Sequence, residues 1–258
     1  MNERVFYDRC PLCEGMNPTY YLTADCAGHP LYHPSMSPRI HWKQCQACKH
    51  IFTDGYFTES ACRLIFGKSN PQQLLGNDIE QQRWISARII EKILPFSSTG
   101  NWLDVGFGNG SLLFTAQEYG FIPMGTDLRR ENASALSSLG IQAHCLELEK
   151  LALAEECAVI SMADVLEHMP FPKRGLQAVH RLLGKDGILF ASMPNTESFL
   201  WQTMNQKGDN PYWGEIEHYH NFSRSRLYEL LRETGFEPLR YGISERYRAC
   251  MEIIARKV

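Results

Sequence analysis

The sequence predicts an α/β fold, in which a mostly parallel sheet carries helices on both faces, joined to a small cysteine-rich segment near the amino terminus. Two observations support this prediction. From residue 101 onward, short apolar runs alternate with amphipathic stretches, which is the pattern of repeated strand–helix units. Before residue 55, two Cys-x-x-Cys pairs lie in a stretch rich in Pro, Tyr and His.

The composition is that of an ordinary globular protein without a strong overall charge. The 258 residues include 26 Lys and Arg and 29 Asp and Glu, which gives a net charge of −3. A balance so close to neutral provides no general attraction for nucleic acid. The sequence has no long apolar run and no charged-then-apolar leader, so we expect no membrane span, no secretion signal and a cytoplasmic protein.

Residues 1–55 are predicted to form a zinc-ribbon-like head. The two pairs are Cys10 with Cys13 and Cys45 with Cys48. Each pair can place two thiolates on one ion from a tight turn, and two such pairs complete a tetrahedral zinc site. Four thiolates leave no open coordination position, so we expect a structural Zn²⁺ that helps a segment with little apolar core to fold.

Alternatives to this metal site stay open. Cys13 and Cys45 are 32 positions apart, more than the common separation of about 15–20 residues between such pairs. Cys26, His29 and His33 lie between the pairs and are possible substitute ligands. The cysteines could also be unrelated core residues. Because the chain has nine cysteines and no export signal, we expect reduced thiols and a metal rather than disulfides.

Residues 56–100 are predicted to form a helical lid and linker. Loop signals at Asn70-Pro71 and at 75–77 precede a helix over residues 78–93. Its apolar positions fall near helical spacing: Ile79, Trp84, Ile85, Ile89, Ile90 and Ile93.

A glycine-rich turn opens the core that we predict over residues 101–258. An apolar run over 102–105 contains Asp104, three glycines follow at alternate positions, and an amphipathic stretch starts at Ser111. This order predicts a buried strand, a tight turn and the start of a helix. Glycine lets a ligand lie against the backbone, and a helix start offers free N–H groups. The turn therefore suits a nucleotide-like ligand, although a turn without a ligand is the simpler alternative.

The remaining elements of the core follow in regular order. Helices are predicted near 111–119, 173–183 and 224–234, the last with Ser223 as its N-cap and Gly235 at its end. Residues 195–222 form a polar, aromatic insertion of the kind that recognises substrates. Strands are predicted at 102–105, 121–126, 142–146, 157–162 and 188–193, with an antiparallel closing pair at 236–241 and 249–256. The ligand belongs at the carboxyl ends of the parallel strands.

The glycine motif is the feature that carries a family resemblance. A dinucleotide site requires G-x-G-x-x-G, whereas this sequence has D-x-G-x-G-x-G. That pattern resembles the first motif of the class I S-adenosylmethionine-dependent methyltransferases. The resemblance implies a Rossmann-like seven-stranded methyltransferase sheet with helices on both faces. It also implies S-adenosyl-L-methionine as the cofactor, and a carboxylate suits its ammonium and sulfonium groups.

The resemblance implies a role for each residue of the cofactor site. The loop would hold the amino-acid part of the cofactor, Asp127 would accept the ribose hydroxyls, and Leu128 would lie beside the adenine. An acid and a backbone N–H would meet the adenine edge at 147–148. Asp127 could instead be a helix cap. The implied cofactor-binding residues are Asp104, Val105, Gly106, Phe107, Gly108, Gly110, Asp127, Leu128, Glu147, Leu148, Met162 and Ala163.

Three histidines are candidates for a general base, because the imidazole titrates near neutrality. His168 lies in a segment that resembles the D-V-L-E-H-x-P stretch after strand four of this family. His218 and His220 lie in a segment that resembles the family's E-H-x-x-x-F-S stretch, with Glu215 or Glu217 as an orienting partner of His218. In the alternative reading, His168 only braces its loop.

The combination of a zinc head and this core resembles two kinds of methyltransferase. One comprises the deoxysugar C-methyltransferases and their relatives in polysaccharide and natural-product pathways. The other comprises zinc-ribbon enzymes that methylate ribosomal or transfer RNA, and a pI near 6.3 without Lys/Arg clusters argues against it. We therefore predict a small-molecule acceptor such as a sugar, a nucleotide-sugar or a natural-product precursor. A non-catalytic zinc scaffold with a vestigial cofactor fold is a third possibility. The sequence indicates neither the acceptor atom nor the oligomeric state.

Overall fold

The computed structural model describes residues 3–66 and 73–258. The loop expected at Asn70-Pro71 lies outside these residues. The chain divides into two compact units. We call the first the head unit, made of residues 1–69, 167–173 and 194–230, and the second the core unit, made of residues 70–166, 174–193 and 231–258.

The secondary structure alternates between strands and helices from residue 100 onward. The strands are β1 (Arg4–Phe6), β2 (Thr19–Asp25), β3 (Arg39–Gln44), β4 (Ile51–Thr53), β5 (Gly55–Phe57), β6 (Gly100–Val105), β7 (Phe121–Thr126), β8 (Gln142–His144), β9 (Cys157–Ala163), β10 (Leu183–Pro194), β11 (His220–Asn221), β12 (Phe236–Ile243) and β13 (Cys250–Lys257). The helices are α1 (Glu59–Phe66), α2 (Ile79–Ile93), α3 (Ser111–Glu118), α4 (Arg130–Ser138), α5 (Pro172–Leu182), α6 (Phe199–Lys207) and α7 (Arg224–Glu233).

The core unit is built on a seven-stranded mixed sheet of order β12-β13-β10-β9-β6-β7-β8. Strands β10, β9, β6, β7 and β8 pair in parallel, and β12 and β13 form an antiparallel pair. This arrangement confirms the predicted Rossmann-like α/β fold with its antiparallel closing strands. Parallel strands are joined by crossover connections, which are usually helices. Because these helices cover both faces of the sheet, its strands consist of nearly continuous apolar runs.

Apolar side chains from the strands and helices form one core in this unit. Trp102 of β6 is fully buried and meets Phe121 of β7 edge to face, with ring centroids 4.9 Å apart. Helix α2 places Ile89, Ile90 and Ile93 in the same core. Trp84, another apolar position of this helix, is 68% exposed.

Two strand boundaries differ from the sequence prediction. The third parallel strand is short and ends at His144. The strand predicted at 188–193 begins earlier, at Leu183, so that the glycine-containing residues 184–187 lie within β10. The register against β9 shifts between Leu183 and Ile188, and Asp186 has φ of +58°. The glycine signals therefore mark a bulge at the start of a strand.

The head unit contains a four-stranded antiparallel sheet of order β11-β4-β3-β2 and a β1–β5 pair. Its outer strand β11 comes from the insertion predicted at 195–222. The pairing of His220 with Phe52 joins segments that are far apart in the chain.

Aromatic residues fill the core of the head unit. Trp213 lies edge to face with both Trp42 and Trp201, at centroid distances of 5.4 and 5.1 Å. The indole N–H of Trp42 donates to the Trp213 carbonyl at 3.0 Å. Among the helices of residues 3–66 and 73–258, none is long and apolar enough to cross a bilayer.

Candidate cofactor and metal sites

The glycine loop between β6 and α3 adopts a conformation that few other residues tolerate. Gly106, Gly108 and Gly110 have φ values of +67°, +51° and +77°. The Gly106 N–H donates to the Thr126 carbonyl at 2.7 Å, which is the last hydrogen bond of the β6–β7 pairing. The loop is therefore a fixed concave turn at the carboxyl ends of parallel strands, where α/β sheets bind ligands.

Asp104 is a buried carboxylate beneath this loop, only 3% exposed. Its Oδ1 accepts a 2.6 Å hydrogen bond from the Ser161 hydroxyl, and the Trp102 indole N–H donates to that hydroxyl at 2.8 Å. Burial raises the pKa of Asp104 to about 6, against the lowering effect of the Ser161 hydrogen bond. Sequence reasoning did not find Ser161 as a partner, because the contact crosses from β6 to its neighbour β9.

Asp127 directly follows β7 and is 4% exposed. Its Oδ2 accepts from the Gly108 N–H at 3.2 Å, and its Oδ1 accepts from the Arg129 N–H at 2.8 Å. The Arg129 guanidinium lies 3.6 Å from Oδ2. A carboxylate has about four acceptor positions, so this arrangement fits a further pair of ribose hydroxyls. The structure thus brings Asp127 to the glycine loop.

The other predicted cofactor residues lie at or after the carboxyl ends of β6, β7, β8 and β9, with varied exposure. Val105, Phe107, Leu148, Met162 and Ala163 are buried, whereas Leu128 is 71% exposed. Glu147 is exposed and pairs with Lys150 at 2.8 Å.

A short segment of the predicted lid, residues 73–76, packs against the glycine loop. The Gly76 N–H donates to the Asn109 carbonyl at 3.0 Å, and the Asn132 side-chain amide donates to both the Gln73 and Gly108 carbonyls. The Arg129 guanidinium also bonds the Gln73 side chain. The only sequence signal was the loop pattern at 75–77, which gives no hint of this contact.

The four predicted cysteines form one cluster in the head unit. Their sulfur atoms all lie within 4.8 Å of one another, with Cys10–Cys48 at 3.7 Å and Cys13–Cys45 at 3.6 Å. A tetrahedral zinc–thiolate shell with bonds of about 2.3 Å places its sulfurs about 3.8 Å apart, so the cluster fits Zn²⁺. Hydrogen bonding from the Cys10 thiol lowers the pKa of Cys48 to about 5.

The backbone around the cysteines forms two similar tight turns. In the first turn the Glu14 N–H donates to the Cys10 carbonyl, and in the second the Lys49 N–H donates to the Cys45 carbonyl. Glu14 and Lys49 have φ values of +59° and +58°. Of the substitute ligands considered above, none belongs to this cluster. None of the nine cysteines forms a disulfide.

His168 and His218 lie together in the head unit. Their rings meet edge to face at a centroid distance of 4.7 Å. His168 Nδ1 is 3.0 Å from the Glu217 carbonyl; because a carbonyl only accepts, Nδ1 carries the proton. His218 is 7% exposed, its Nδ1 has no hydrogen-bond partner among the described residues, and burial lowers its pKa well below the ordinary range.

His220 belongs to a different pair. Its Nε2 donates to the Met169 carbonyl at 3.0 Å, so its Nδ1 accepts from His50 Nε2, also at 3.0 Å. Burial lowers the pKa of His220 to about 3. The ring partners of His220 therefore differ from those of His218.

Glu215, considered as an orienting partner of His218, pairs instead with His29. The distance from its Oε2 to His29 Nε2 is 3.0 Å, and this hydrogen bond raises the pKa of His29. The Leu31 N–H donates to the other ring nitrogen, Nδ1, at 3.2 Å. Both nitrogens of His29 are thus engaged.

Comparison with known proteins gives one family match. The sequence profile of a family described as a methyltransferase domain matches residues 79–241. An uncharacterised protein of Methanocaldococcus jannaschii is 24% identical over 152 residues, which is 58% of this chain and 71% of that protein.

Several solved structures share the fold. One is a magnesium protoporphyrin IX methyltransferase from Synechocystis with bound S-adenosylhomocysteine. It has a TM-score of 0.54 at 16% identity, and the match covers 70% of this chain and 84% of that chain. The 1,6-didemethyltoxoflavin N1-methyltransferase of Burkholderia thailandensis has a TM-score of 0.53 at 21% identity, covering 71% and 82%. An N-methyltransferase from Bradyrhizobium japonicum has a TM-score of 0.53 at 15% identity, covering 74% and 93%.

Proposed function

Because the chain belongs to the methyltransferase domain family, we propose that it transfers a methyl group from S-adenosyl-L-methionine to a small-molecule acceptor. The acceptor class is a sugar, a nucleotide-sugar or a related polysaccharide or natural-product precursor. The observation that carries this proposal is the pair of buried carboxylates, Asp104 and Asp127, at the strand ends that flank the glycine loop.

Each carboxylate has a chemical task in this proposal. The sulfonium of the bound cofactor supplies an activated methyl group. Asp104 provides negative charge near the cationic amino-acid part, and Asp127 accepts hydrogen bonds from the ribose. The glycine loop lets the cofactor approach the backbone closely. What remains for the protein is orientation, which can contribute several kcal/mol, and removal of a proton from the acceptor.

A small acceptor is supported by two features. The net charge of −3 provides no attraction for a phosphate backbone. The solved methyltransferases named above act, by their names, on a porphyrin and a toxoflavin precursor. We also propose that the four-cysteine cluster holds a structural Zn²⁺ in the head unit.

The acceptor class is tested by methyl transfer from labelled S-adenosylmethionine to a panel of deoxysugars, nucleotide-sugars and ribosomal RNA transcripts. We expect label in the sugar fraction and none in RNA. Label in RNA that declines steeply with added salt would instead favour an RNA methyltransferase. Failure to bind S-adenosylhomocysteine in a calorimeter would favour a non-catalytic scaffold.

For proton removal we propose a histidine among His168, His218 and His220. The first two are favoured, because both ring nitrogens of His220 are engaged by His50 and Met169. We expect His168→Ala or His218→Ala to lower kcat by about 10²–10⁴-fold, the contribution typical of a general base. Affinity for S-adenosylhomocysteine, measured by calorimetry, should stay within a factor of two or so of the wild type. The exposed His41→Ala is the matched control and should keep full turnover. Unchanged turnover in both variants would remove these histidines from the mechanism.

A further inference from the structure

A second group of metal-ligand side chains lies in the head unit, separate from the cysteines. Ligand atoms of Glu167, His168 and His218 all fall within 4.8 Å of one another. A first-row divalent cation holds His nitrogen and carboxylate oxygen at about 2.0–2.2 Å, so neighbouring ligands of a tetrahedral shell are about 3.3–3.6 Å apart. Small side-chain adjustments would bring the three groups into one coordination shell.

The hydrogen bonds around His168 are those of a metal ligand. Its Nδ1–H donates to the Glu217 carbonyl, which leaves the lone pair on Nε2. Metal-binding histidines almost always donate their other ring N–H to a carbonyl or a carboxylate in this way. The second histidine, His218, is only 7% exposed, and its Nδ1 has no hydrogen-bond partner among the described residues.

The backbone holds the three residues in place. The Tyr219 N–H donates to the Glu167 carbonyl at 2.9 Å, and the His218 N–H donates to the Glu215 carbonyl at 3.2 Å. Glu167 itself is 1% exposed. Carboxylate oxygens are among the ligands that first-row divalent cations take in proteins.

We propose that Glu167, His168 and His218 bind a divalent first-row transition-metal cation such as Zn²⁺, in addition to the ion of the four cysteines. Two histidines and one carboxylate leave coordination positions open, unlike the four thiolates. The nearby group of His29, Glu215 and Glu217 fits a cation less well, because both nitrogens of His29 are engaged.

The cation binding stands independently of the proposed methyl transfer, but its chemical consequence rests on it. With a cation bound there, His168 and His218 would serve as ligands in place of the base role proposed above. The cation would act as a Lewis acid that lowers the pKa of a hydroxyl on the acceptor, and the proton would leave to solvent. Metal binding and turnover are therefore measured separately, so that failure of one is distinguishable from failure of the other.

The test is the metal stoichiometry of the full chain after equilibration with Zn²⁺ and removal of free ion. We expect two equivalents in the wild type. Glu167→Gln keeps the shape of the side chain. This variant and His218→Ala should each lower the affinity for the second Zn²⁺ at least tenfold, because even the loss of a residue that only hydrogen-bonds to a ligand typically lowers metal affinity by that factor. The exposed His41→Ala should keep two equivalents.

Cobalt substitution assigns the ions to their sites. Co²⁺ at the cysteines gives intense thiolate charge-transfer bands, whereas Co²⁺ at the second site gives only weak ligand-field bands, and Glu167→Gln should weaken binding only at the second. One equivalent in the wild type, or two equivalents held unchanged by Glu167→Gln and His218→Ala, overturns the proposal. Should His218→Ala fail to fold, Glu167→Gln alone decides.

Discussion

Asp104 combines burial with a negative charge, and the two properties oppose each other. The carboxylate is held by Ser161, which is oriented in turn by the Trp102 indole N–H. This chain of hydrogen bonds compensates only part of the cost of burial, which is why the pKa of Asp104 rises to about 6.

We expect Asp104→Asn to stabilise the fold at pH 7.5 relative to the wild type. The folded pKa of about 6 lies above the ordinary 3.8, so the wild type gains stability from proton uptake at low pH and loses it as the pH rises through 6. The difference in unfolding free energy between Asp104→Asn and the wild type should be about 3 kcal/mol at most at pH 7.5, and it should shrink as the pH falls to 5. Urea unfolding at both pH values measures it, with the exposed Asp209→Asn as control. A gain that is the same at both pH values would contradict the titration of Asp104.

A second substitution tests the ribose contact. Asp127→Asn keeps the size of the side chain but replaces a charged acceptor with a neutral amide. A hydrogen bond to a charged group contributes about 1.5–3 kcal/mol. We expect the affinity for S-adenosylhomocysteine to fall by roughly ten- to a hundredfold in calorimetry. Glu131→Gln, exposed in the first turn of α4, should bind like the wild type. If both variants bind equally well, Asp127 does not hold the ribose.

At the scale of elements, strand β7 and helices α3 and α4 fit together through one small residue. A Cβ on Gly125 would lie 2.5 Å from Phe107 Cδ1 and 3.0 Å from the Leu113 and Leu136 side chains. Gly125 is needed here for close packing, and no left-handed backbone is involved. The same contact fixes Phe107, which belongs to the glycine loop.

We expect Gly125→Ala to destabilise the protein by about 1–3 kcal/mol, the usual cost of overpacking a core. Its control is Gly28→Ala, where a Cβ would meet nothing within 4 Å. That variant should be neutral or slightly stabilising, because alanine restricts the unfolded chain. Chemical denaturation of both variants measures the difference. Equal effects of the two substitutions on the free energy of unfolding would show that the side chains around Gly125 can move to accommodate a methyl group.

Local patterns made the strands, the glycine loop and the cysteine cluster predictable. The run Trp102–Val105, the glycines after it and the Ser223 N-cap each act within a few residues, and the Arg226 N–H does donate to the Ser223 hydroxyl at 3.1 Å. The rest depends on contacts between distant segments. No local signal pairs Ser161 with Asp104, or Glu215 with His29. The exposed Trp84 likewise shows that helical spacing predicts which residues share a helix face, but not which of them are buried.

At the scale of the whole molecule, the two units depend on different stabilising interactions. The core unit buries a large apolar sheet, whereas the head unit combines an aromatic core with the four-cysteine cluster. Where a protein unit binds a structural metal, the free energy of metal binding contributes to the free energy of folding.

We expect Cys13→Ser to remove one equivalent of zinc and to loosen the head unit. Amide hydrogen exchange should accelerate in β3, β4 and β11, while β6, β7 and β9 keep their protection, because metal binding contributes directly to the folding free energy of the unit that holds it. Cys145→Ser is the control, since that thiol is exposed and outside the cluster. Unchanged zinc content in Cys13→Ser would contradict the four-cysteine site.

The pairing of β11 with β4 also sets an order of events during synthesis on the ribosome. Until residue 221 has been made, Ile51–Thr53 has a partner on one side only, and its other edge is open. Unpaired strand edges in nascent chains attract chaperones and invite aggregation. The segment Ile51–Thr53 thus completes its pairing only after a much later segment has been made, and a truncated product ending before residue 221 would be a natural target for proteolysis.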